Sequence, residues 1–259
     1  MSDIHQGKAA QKQFSKQSIY YANSQQHRAG ESLQVVREFV AKSPKGILLD
    51  VGTGAGFTAW GVRDLAREVI ATDISSGMLM QAEKLFAQQG SGNIAIAYAE
   101  AESLPLATRS VDVVTSRQAA HHFYDINAAV QESARVLKKG GVMIAIDPLA
   151  PASPAVDTWM NEVEVRRDPT HVRDRTMDEW LALLETAGLT LDDYRITKVY
   201  LEFDDWVKRS ATPQKGIDML RRDFIEAAPE VVSAFNIENV NGMITFHWDV
   251  LVLRSVKIA

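Results

Sequence analysis

Between residues 46 and 147, short runs of Val, Ile and Leu alternate with longer amphipathic stretches, the pattern of β-α-β units built on a parallel sheet. The runs predict strands near 47–52, 69–73, 94–98, 111–116 and 142–147. The clearest helical stripe is Ala129, Val130, Ser133, Ala134 and Leu137, and Lys138-Lys139-Gly140-Gly141 predicts its end. Past Pro148 the alternation falters, because Pro148, Pro151 and Pro154 interrupt a loop. Helices are expected around 155–166 and 177–187 on either side of an Arg-rich turn, then a strand near 191–201, a helical insertion over 203–240 and a long last strand over 244–253. That strand arrives without a regular crossover helix, a connection compatible with antiparallel entry at a sheet edge.

The first apolar run stops at a carboxylate and breaks into glycines: Ile47-Leu48-Leu49-Asp50-Val51-Gly52-Thr53-Gly54-Ala55-Gly56. Such a sequence is a buried strand, then a loop without Cβ atoms on which something large can lie, then a helix. Asp73 ends the next strand, 23 positions after Asp50. An acid at that place binds ribose hydroxyls. Dinucleotide folds need G-x-G-x-x-G to seat a pyrophosphate on a helix N-terminus. Here the spacing is G-x-G-x-G with Asp50 beside it, and a carboxylate repels phosphate but suits an ammonium or sulfonium.

With 28 Lys and Arg against 33 Asp and Glu, the formal charge of −5 opposes sequence-independent binding to phosphate backbones, so nucleic acid is not the expected partner. The absence of cysteine excludes disulfides, Cys-based zinc and thiol nucleophiles. The N-terminus lacks the apolar core of a signal peptide and no apolar run approaches the ~18 residues that span a membrane, so the expectation is a cytoplasmic protein without a membrane span.

The glycine loop and its flanking acids resemble those of the class I S-adenosylmethionine-dependent methyltransferases. The likeness extends to Ala99-Glu100-Ala101-Glu102-Ser103-Leu104-Pro105-Leu106, similar to the family's G-D-A-E-x-L-P-F segment with Ala for Gly and Glu for Asp. It continues through Arg117-Gln118-Ala119-Ala120-His121-His122-Phe123, which resembles ubiquinone/menaquinone-biosynthesis type methyltransferases and bacterial members with R-x-A-A-H-H-F. Further segments, among them Arg167-Asp168-Pro169-Thr170-His171-Val172-Arg173 and Asp205-Trp206-Val207-Lys208-Arg209, extend the likeness over nearly the whole chain after residue 25.

The resemblance implies an α/β fold with a doubly wound, seven-stranded, mostly parallel sheet whose last strand is antiparallel, and a helical cap. It implies one domain over 1–259, with lid helices in 1–45, the cofactor-binding core at 46–147, and cap segments at 148–175 and 203–240. S-adenosyl-L-methionine would be held by Asp50, Gly52, Gly54, Gly56, Asp73, Ile74, Met78, Glu100, Ala101 and Arg117, with Met78 covering the adenine and Glu100 meeting its amino group. Asp50 has two readings, anchoring the loop or meeting the cofactor's amino group.

His121 and His122 follow the fourth strand, on the loop that the resemblance implies faces the reactive methyl, with His122 the preferred candidate for contacting substrate. An imidazole with a pKa near 6.5 suits proton removal, although a loop histidine also serves as a helix cap or carbonyl partner. A metal held by both with Asp147 is the lesser alternative, since adjacent histidines tend to point apart, and no resident metal is expected. His171 and Arg173, in the Arg-rich turn, are candidates for an anionic or polar-headed substrate, against a surface turn salt-bridged through Asp168 and Asp174. Tyr21 and His27 are candidates for contacts from the lid. Phe203, Trp206, Phe224 and Phe235 build either an apolar roof or the insertion's core.

The expected activity is methyl transfer to a small-molecule acceptor by in-line displacement. The alternatives are a non-catalytic S-adenosylmethionine-binding module and an NAD(P)-dependent oxidoreductase, the latter lacking its third glycine spacing and a Tyr-x-x-x-Lys pair after strand four. The sequence leaves the acceptor and the oligomeric state open.

Overall fold

Leu48 and Leu49 are both fully buried, yet they belong to different cores, because successive side chains of a strand point to opposite faces and this strand is covered on both. The computed structural model describes residues 11, 14, 15, 30–90 and 92–258. In chain order the elements are α1 (Glu31–Ala41), β1 (Ile47–Val51), α2 (Phe57–Val62), β2 (Glu68–Asp73), α3 (Ser76–Gln89), β3 (Ile94–Tyr98), β4 (Val111–Arg117), α4 (Ile126–Val136) and β5 (Leu137–Pro148). After them come α5 (Pro154–Arg167), α6 (Met177–Thr186), β6 (Leu189–Glu202), α7 (Phe203–Arg209), α8 (Gln214–Ile225), α9 (Pro229–Phe235), β7 (Glu238–Val240) and β8 (Met243–Lys257).

The strands form one mixed sheet in the order β3-β2-β1-β4-β5-β8-β6. All neighbours from β3 to β5 pair in parallel, while β8 runs antiparallel to both β5 and β6. The single reversed strand is therefore β8, as its connection suggested. The order reverses between β1 and β4, and in an open sheet the crevice at the carboxyl ends beside such a switch is where ligands bind. Helices α1, α2 and α3 pack on one face with Phe39, Val62 and Phe86; α4 and α6 pack on the other with Ala134 and Trp180.

Two local expectations change. Leu137 does not close the stripe of α4; it opens β5 and pairs with Val111. Gly140, at φ 76°, kinks the chain inside that strand, and the ladder shifts register between Val111 and Val113. The insertion over 203–240 is helical except at its end, where Glu238–Val240 makes a short exposed hairpin with β8.

A third apolar cluster lies beyond the carboxyl ends of β5 and β6, at the amino end of β8. Trp159 of α5, Trp206 of α7, Phe224 of α8 and Phe235 of α9 gather on Phe246 and Trp248 of β8, with ring centroids 4.5–6.4 Å apart. One buried acid is set into it. Glu164 of α5 accepts from Trp248 Nε1 at 2.7 Å, from Trp206 Nε1 at 3.3 Å and from the Arg167 guanidinium at 2.5 Å. Replacing Glu164 by Ala leaves two buried indole N–H groups and a largely buried cation without their shared acceptor. Breaking a buried pair in this way costs about 3–5 kcal/mol. Denaturant titration of Glu164→Ala is expected to show a loss of that order; a loss below about 1 kcal/mol would mean these donors re-pair elsewhere.

Candidate functional site

The rim of the crevice is organised by Asp50, which is fully buried at the end of β1. Thr53 Oγ1 donates to one carboxylate oxygen at 2.7 Å and Thr115 Oγ1 of β4 to the other at 2.6 Å, while Thr72 Oγ1 of β2 donates to the Asp50 carbonyl at 3.1 Å. Three adjacent strand ends and the glycine loop are thereby tied to one residue. Burial pushes the Asp50 carboxyl up to about 6, against the two hydroxyls and the charge of Arg117. Its side chain is not part of the cleft lining, and its hydrogen bonds to Thr53 and Thr115 tie the loop to β4.

The loop itself needs its glycines. Gly52 and Gly56 sit at φ 67° and 86°, and a Cβ on Gly52 would come within 2.6 Å of the Ala119 methyl. Asp73 closes the other side: Gly54 N–H donates to Oδ2 at 2.9 Å and Ser75 N–H to Oδ1 at 2.8 Å. A carboxylate has about four acceptor positions, so two remain for hydroxyl groups in the cleft. Burial raises the Asp73 carboxyl to about 6 despite these amides. Ser75 caps α3 by accepting from Met78 N–H at 3.2 Å, which brings Ile74 and the buried Met78 onto the cleft wall.

Gly52, Gly54, Asp73, Ile74, Met78, Ala101 and Arg117 all line this cleft, which encloses about 980 Å³ including the solvent at its mouth. That space suits a ligand of drug size. Gly56 and Glu100 lie off its lining. Glu100 turns toward the Tyr124 hydroxyl at 3.5 Å, and it is Glu102, two residues on, that lines the cleft and whose carboxyl burial raises. Glu100 and Ser103 pair across a tight turn that contains Glu102, so the two acids take different directions.

Arg117 lies on the shared wall of this cleft and a second cavity of about 1290 Å³. Its Nε donates to Ser32 of α1 at 3.2 Å, and burial lowers the guanidinium to about 10 against the pull of Asp50. Gln118 follows at φ 55°, an uncommon value for a non-glycine residue, and turns the chain into the Ala120–His122 turn. His122 borders both cavities and His121 only the second. The His121 and His122 rings do not diverge: their centroids are 4.2 Å apart, and the His171 ring stands 5.4 Å from that of His121.

His121 Nδ1 lies 2.8 Å from Asp147 Oδ1. Burial lowers its proton affinity, but Asp147, Asp174 and Glu164 outweigh this and raise it to about 9. His122 Nδ1 lies 3.1 Å from the Thr170 carbonyl, which fixes the donor on that nitrogen and leaves Nε2 as an acceptor; burial and the neighbouring His121 charge lower its pKa to about 3.

The Arg-rich turn is assembled differently from its sequence reading. Arg173 is held by Asp157 at 2.7 Å and Glu179 at 2.8 Å, away from both cavities, because these acids of α5 and α6 flank it on either side. The ion pairs thus use Asp157 and Glu179 in place of Asp168 and Asp174. Asp168 instead accepts from Thr170 N–H and Oγ1, and Asp174 is buried. His171 and Arg167 do line the second cavity, as do Trp206 and Trp248, whereas Phe203, Phe224 and Phe235 serve the core. Tyr21 and His27 lie outside the described residues. Sequence reasoning missed Thr53, Thr115, Glu164 and Gln118. Thr53 follows a strand-end acid, a usable signal, whereas Thr115 meets Asp50 only through strand pairing and nothing in the sequence marks Glu164.

The chain matches the methyltransferase-domain family over residues 49–145. It is 32% identical over 246 residues to YcgJ of Bacillus subtilis, described as an uncharacterized methyltransferase, covering 94% of this chain and 97% of the relative. The YcgJ crystal structure superposes with a TM-score of 0.85 at 30% identity, over 89% of this chain and 100% of that one. BH2331 of Bacillus halodurans C-125 does so with a TM-score of 0.83 at 29% identity and the same coverage. A Mycolicibacterium smegmatis protein named "Probable S-adenosylmethionine-dependent methyltransferase" is 33% identical over 147 residues, 56% of this chain and 52% of its own. A three-glycine loop under a strand-end acid, on a sheet of this order, defines a class I methyltransferase scaffold. The chain belongs to the methyltransferase family, whose cofactor is S-adenosylmethionine. Among the described residues no helix is long and apolar enough to cross a membrane.

Gly52→Ala is expected to weaken S-adenosylhomocysteine binding by more than about tenfold, roughly 1.4 kcal/mol, in a calorimetric titration. Gly90→Ala is the control for backbone strain alone, since Gly90 has φ 69° but open space around it. Equal effects of the two substitutions would refute a steric role for the Gly52–Ala119 contact.

Proposed function

We propose that this chain binds S-adenosylmethionine in the cleft over β1 and β2 and transfers its methyl group to a small molecule held in the second cavity. The observation that carries the reading is Asp73: its carboxylate is pinned by the Gly54 and Ser75 amides at the mouth of the cleft and keeps acceptor capacity for two ribose hydroxyls. The cradle suits the cofactor further, because the glycine loop admits close approach of a polar chain, and Met78 and Ile74 offer apolar cover for a purine.

Bound S-adenosylmethionine would supply an electrophilic methyl on a sulfonium, with S-adenosylhomocysteine as the neutral leaving group of an in-line transfer and the acceptor's proton passing to water in the second cavity. The chain's contribution is alignment, which can provide about 7–11 kcal/mol of such a barrier. Arg117, Gln118 and His122 form the partition between the two cavities, so donor and acceptor would meet across them. His122, oriented by the Thr170 carbonyl, contacts the acceptor at the reacting end, with His121 held behind it by Asp147 and His171 across the cavity. Trp206 and Trp248 offer an apolar wall and Arg167 and Glu164 a charged one, which suits an acceptor with an apolar body and a polar head. The ubiquinone/menaquinone-type motifs support this subtype, and the absence of cysteine supports work in the cytoplasm. In this reading Glu102 takes the adenine-side role that the motif implied for Glu100.

Asp73→Ala is expected to reduce S-adenosylhomocysteine affinity at least tenfold, since a hydrogen bond to a charged group contributes about 1.5–3 kcal/mol. The cofactor's ribose hydroxyls call for the ionised form of Asp73, the loop beneath them is anchored by Asp50, and both carboxyls reach about 6 in the ligand-free chain. Affinity should therefore be level above pH 7 and fall as pH drops from 6 to 5. Stability of the ligand-free chain moves oppositely: with folded values above the unfolded ~3.9, each acid destabilises by up to about 3 kcal/mol above pH 6, and that penalty is relieved as pH falls toward 4. Binding that stays constant from pH 5 to 8 would rule out ionised acids as the grip.

A further inference from the structure

Behind the turn that carries His121, three metal-ligating groups converge on the wall of the second cavity. One ring nitrogen of His121 and one carboxylate oxygen each of Asp147 and Asp174 lie within 4.8 Å of one another. Asp147 and Asp174 are 2% and 0% exposed. Asp174 is the independent sign of a missing partner: both its carboxylate oxygens are buried and neither has a hydrogen bond. An orphaned buried carboxylate costs several kcal/mol and demands an explanation, a bound ion being one. Of the cationic side chains around it, Arg167 is bonded to Glu164, Arg175 to the Ala120 and Arg173 carbonyls, and His121 to Asp147. A fourth donor stands ready, since His171 Nε2 is 3.8 Å from Asp174 Oδ2.

We propose that His121, Asp147, Asp174 and His171 form a binding site for one divalent first-row transition metal, open toward the second cavity. Two imidazoles and two carboxylates match the nitrogen and oxygen preference of zinc, cobalt, iron or manganese, and they neutralise the charge of the ion. Bonds of about 2.1 Å at tetrahedral or octahedral angles separate neighbouring donors by about 3.0–3.4 Å, so the spacings of 2.8, 3.8 and up to 4.8 Å close on an ion with shifts of about 1 Å. Asn161 Oδ1 accepts from the Asp174 backbone N–H at 2.7 Å and so fixes the chain at that ligand, while its 3.4 Å approach to His171 Nε2 is a contact that ligation would replace. His121, His171 and Asp174 line the cavity while Asp147 closes the site from behind, so the ion's remaining positions face the acceptor. An acceptor with oxygen donors would then be held by the metal beside the partition. This last consequence rests on the methyltransferase reading; the ion site does not.

The test uses the untagged full chain, stripped with chelator and titrated with cobalt(II), with zinc(II) as competitor, in the absence of methyl donor and acceptor. Expected are one cobalt per chain, visible d–d absorption that zinc abolishes, and an affinity at least roughly tenfold weaker in Asp174→Asn and His171→Gln. A native chain that takes up no stoichiometric cobalt overturns the site and assigns a proton to Asp174. Stoichiometric uptake that both variants leave unchanged overturns it too, by placing the ion elsewhere. Should Asp174→Asn fail to fold, His171→Gln decides alone. Because no cofactor is present, a failed titration leaves S-adenosylmethionine binding to be judged separately.

Discussion

A single buried carboxylate sets the geometry on which the crevice depends. Asp50 receives hydroxyls from Thr53 in the loop and Thr115 on β4, and its carbonyl receives Thr72 from β2. An acid so deep would cost several kcal/mol if its oxygens were empty, and the hydroxyls together with the nearby charge of Arg117 offset that cost. The compensation has a geometric consequence. Each hydroxyl satisfies Asp50 only if its own strand end stands at a fixed height, so the ends of β1, β2 and β4 are held level at the switch point.

That arrangement was partly legible in the chain. Short apolar runs predicted the strands from β1 to β4 closely, and for the inner strands β1, β2 and β4 this is because a parallel strand between two others is largely buried and has little polar alternation to blur its limits. Leu137 was misread because periodicity treats it as the next step of a helix, while Gly140 bends the backbone and lets Leu137 pair with Val111. The three residues of β7 carry no signal of their own; they pair only because Gly242, at φ 86°, turns the chain back on β8.

The candidate site divides along the same line. The places of Asp73, Gly52, Gly54 and Met78 on the cleft were readable because they are local, each set by position after a strand or at a helix start. Glu100 and Arg173 were not, since the choice between Glu100 and Glu102 depends on which side chain a short bridge turns inward, and Arg173 answers to acids on two helices. The convergence of His121, Asp147, His171 and Asp174 is tertiary in the same sense. Asp147 is a strand-end acid like Asp50 and Asp73, but its partners come from a turn and from the segment after α5.

The segment from Gln118 to His122 carries the strain of joining two cavities. Gln118 adopts φ 55° while its N–H donates to Ile146 of β5 at 2.7 Å, so the sheet holds a conformation that the residue alone disfavours. Directly beyond, Ala119 sits under the Cβ position of Gly52, and the Val172 N–H donates to the His121 carbonyl at 2.8 Å. One face of this loop therefore rests on the glycine loop and the other on the 170s segment. In a displacement that tolerates little misalignment, a wall fixed from both sides transmits the position of one reactant to the other. The small residues on either side of that contact, Gly52 and Ala119, set its thickness, and with it the distance across which a methyl group would pass.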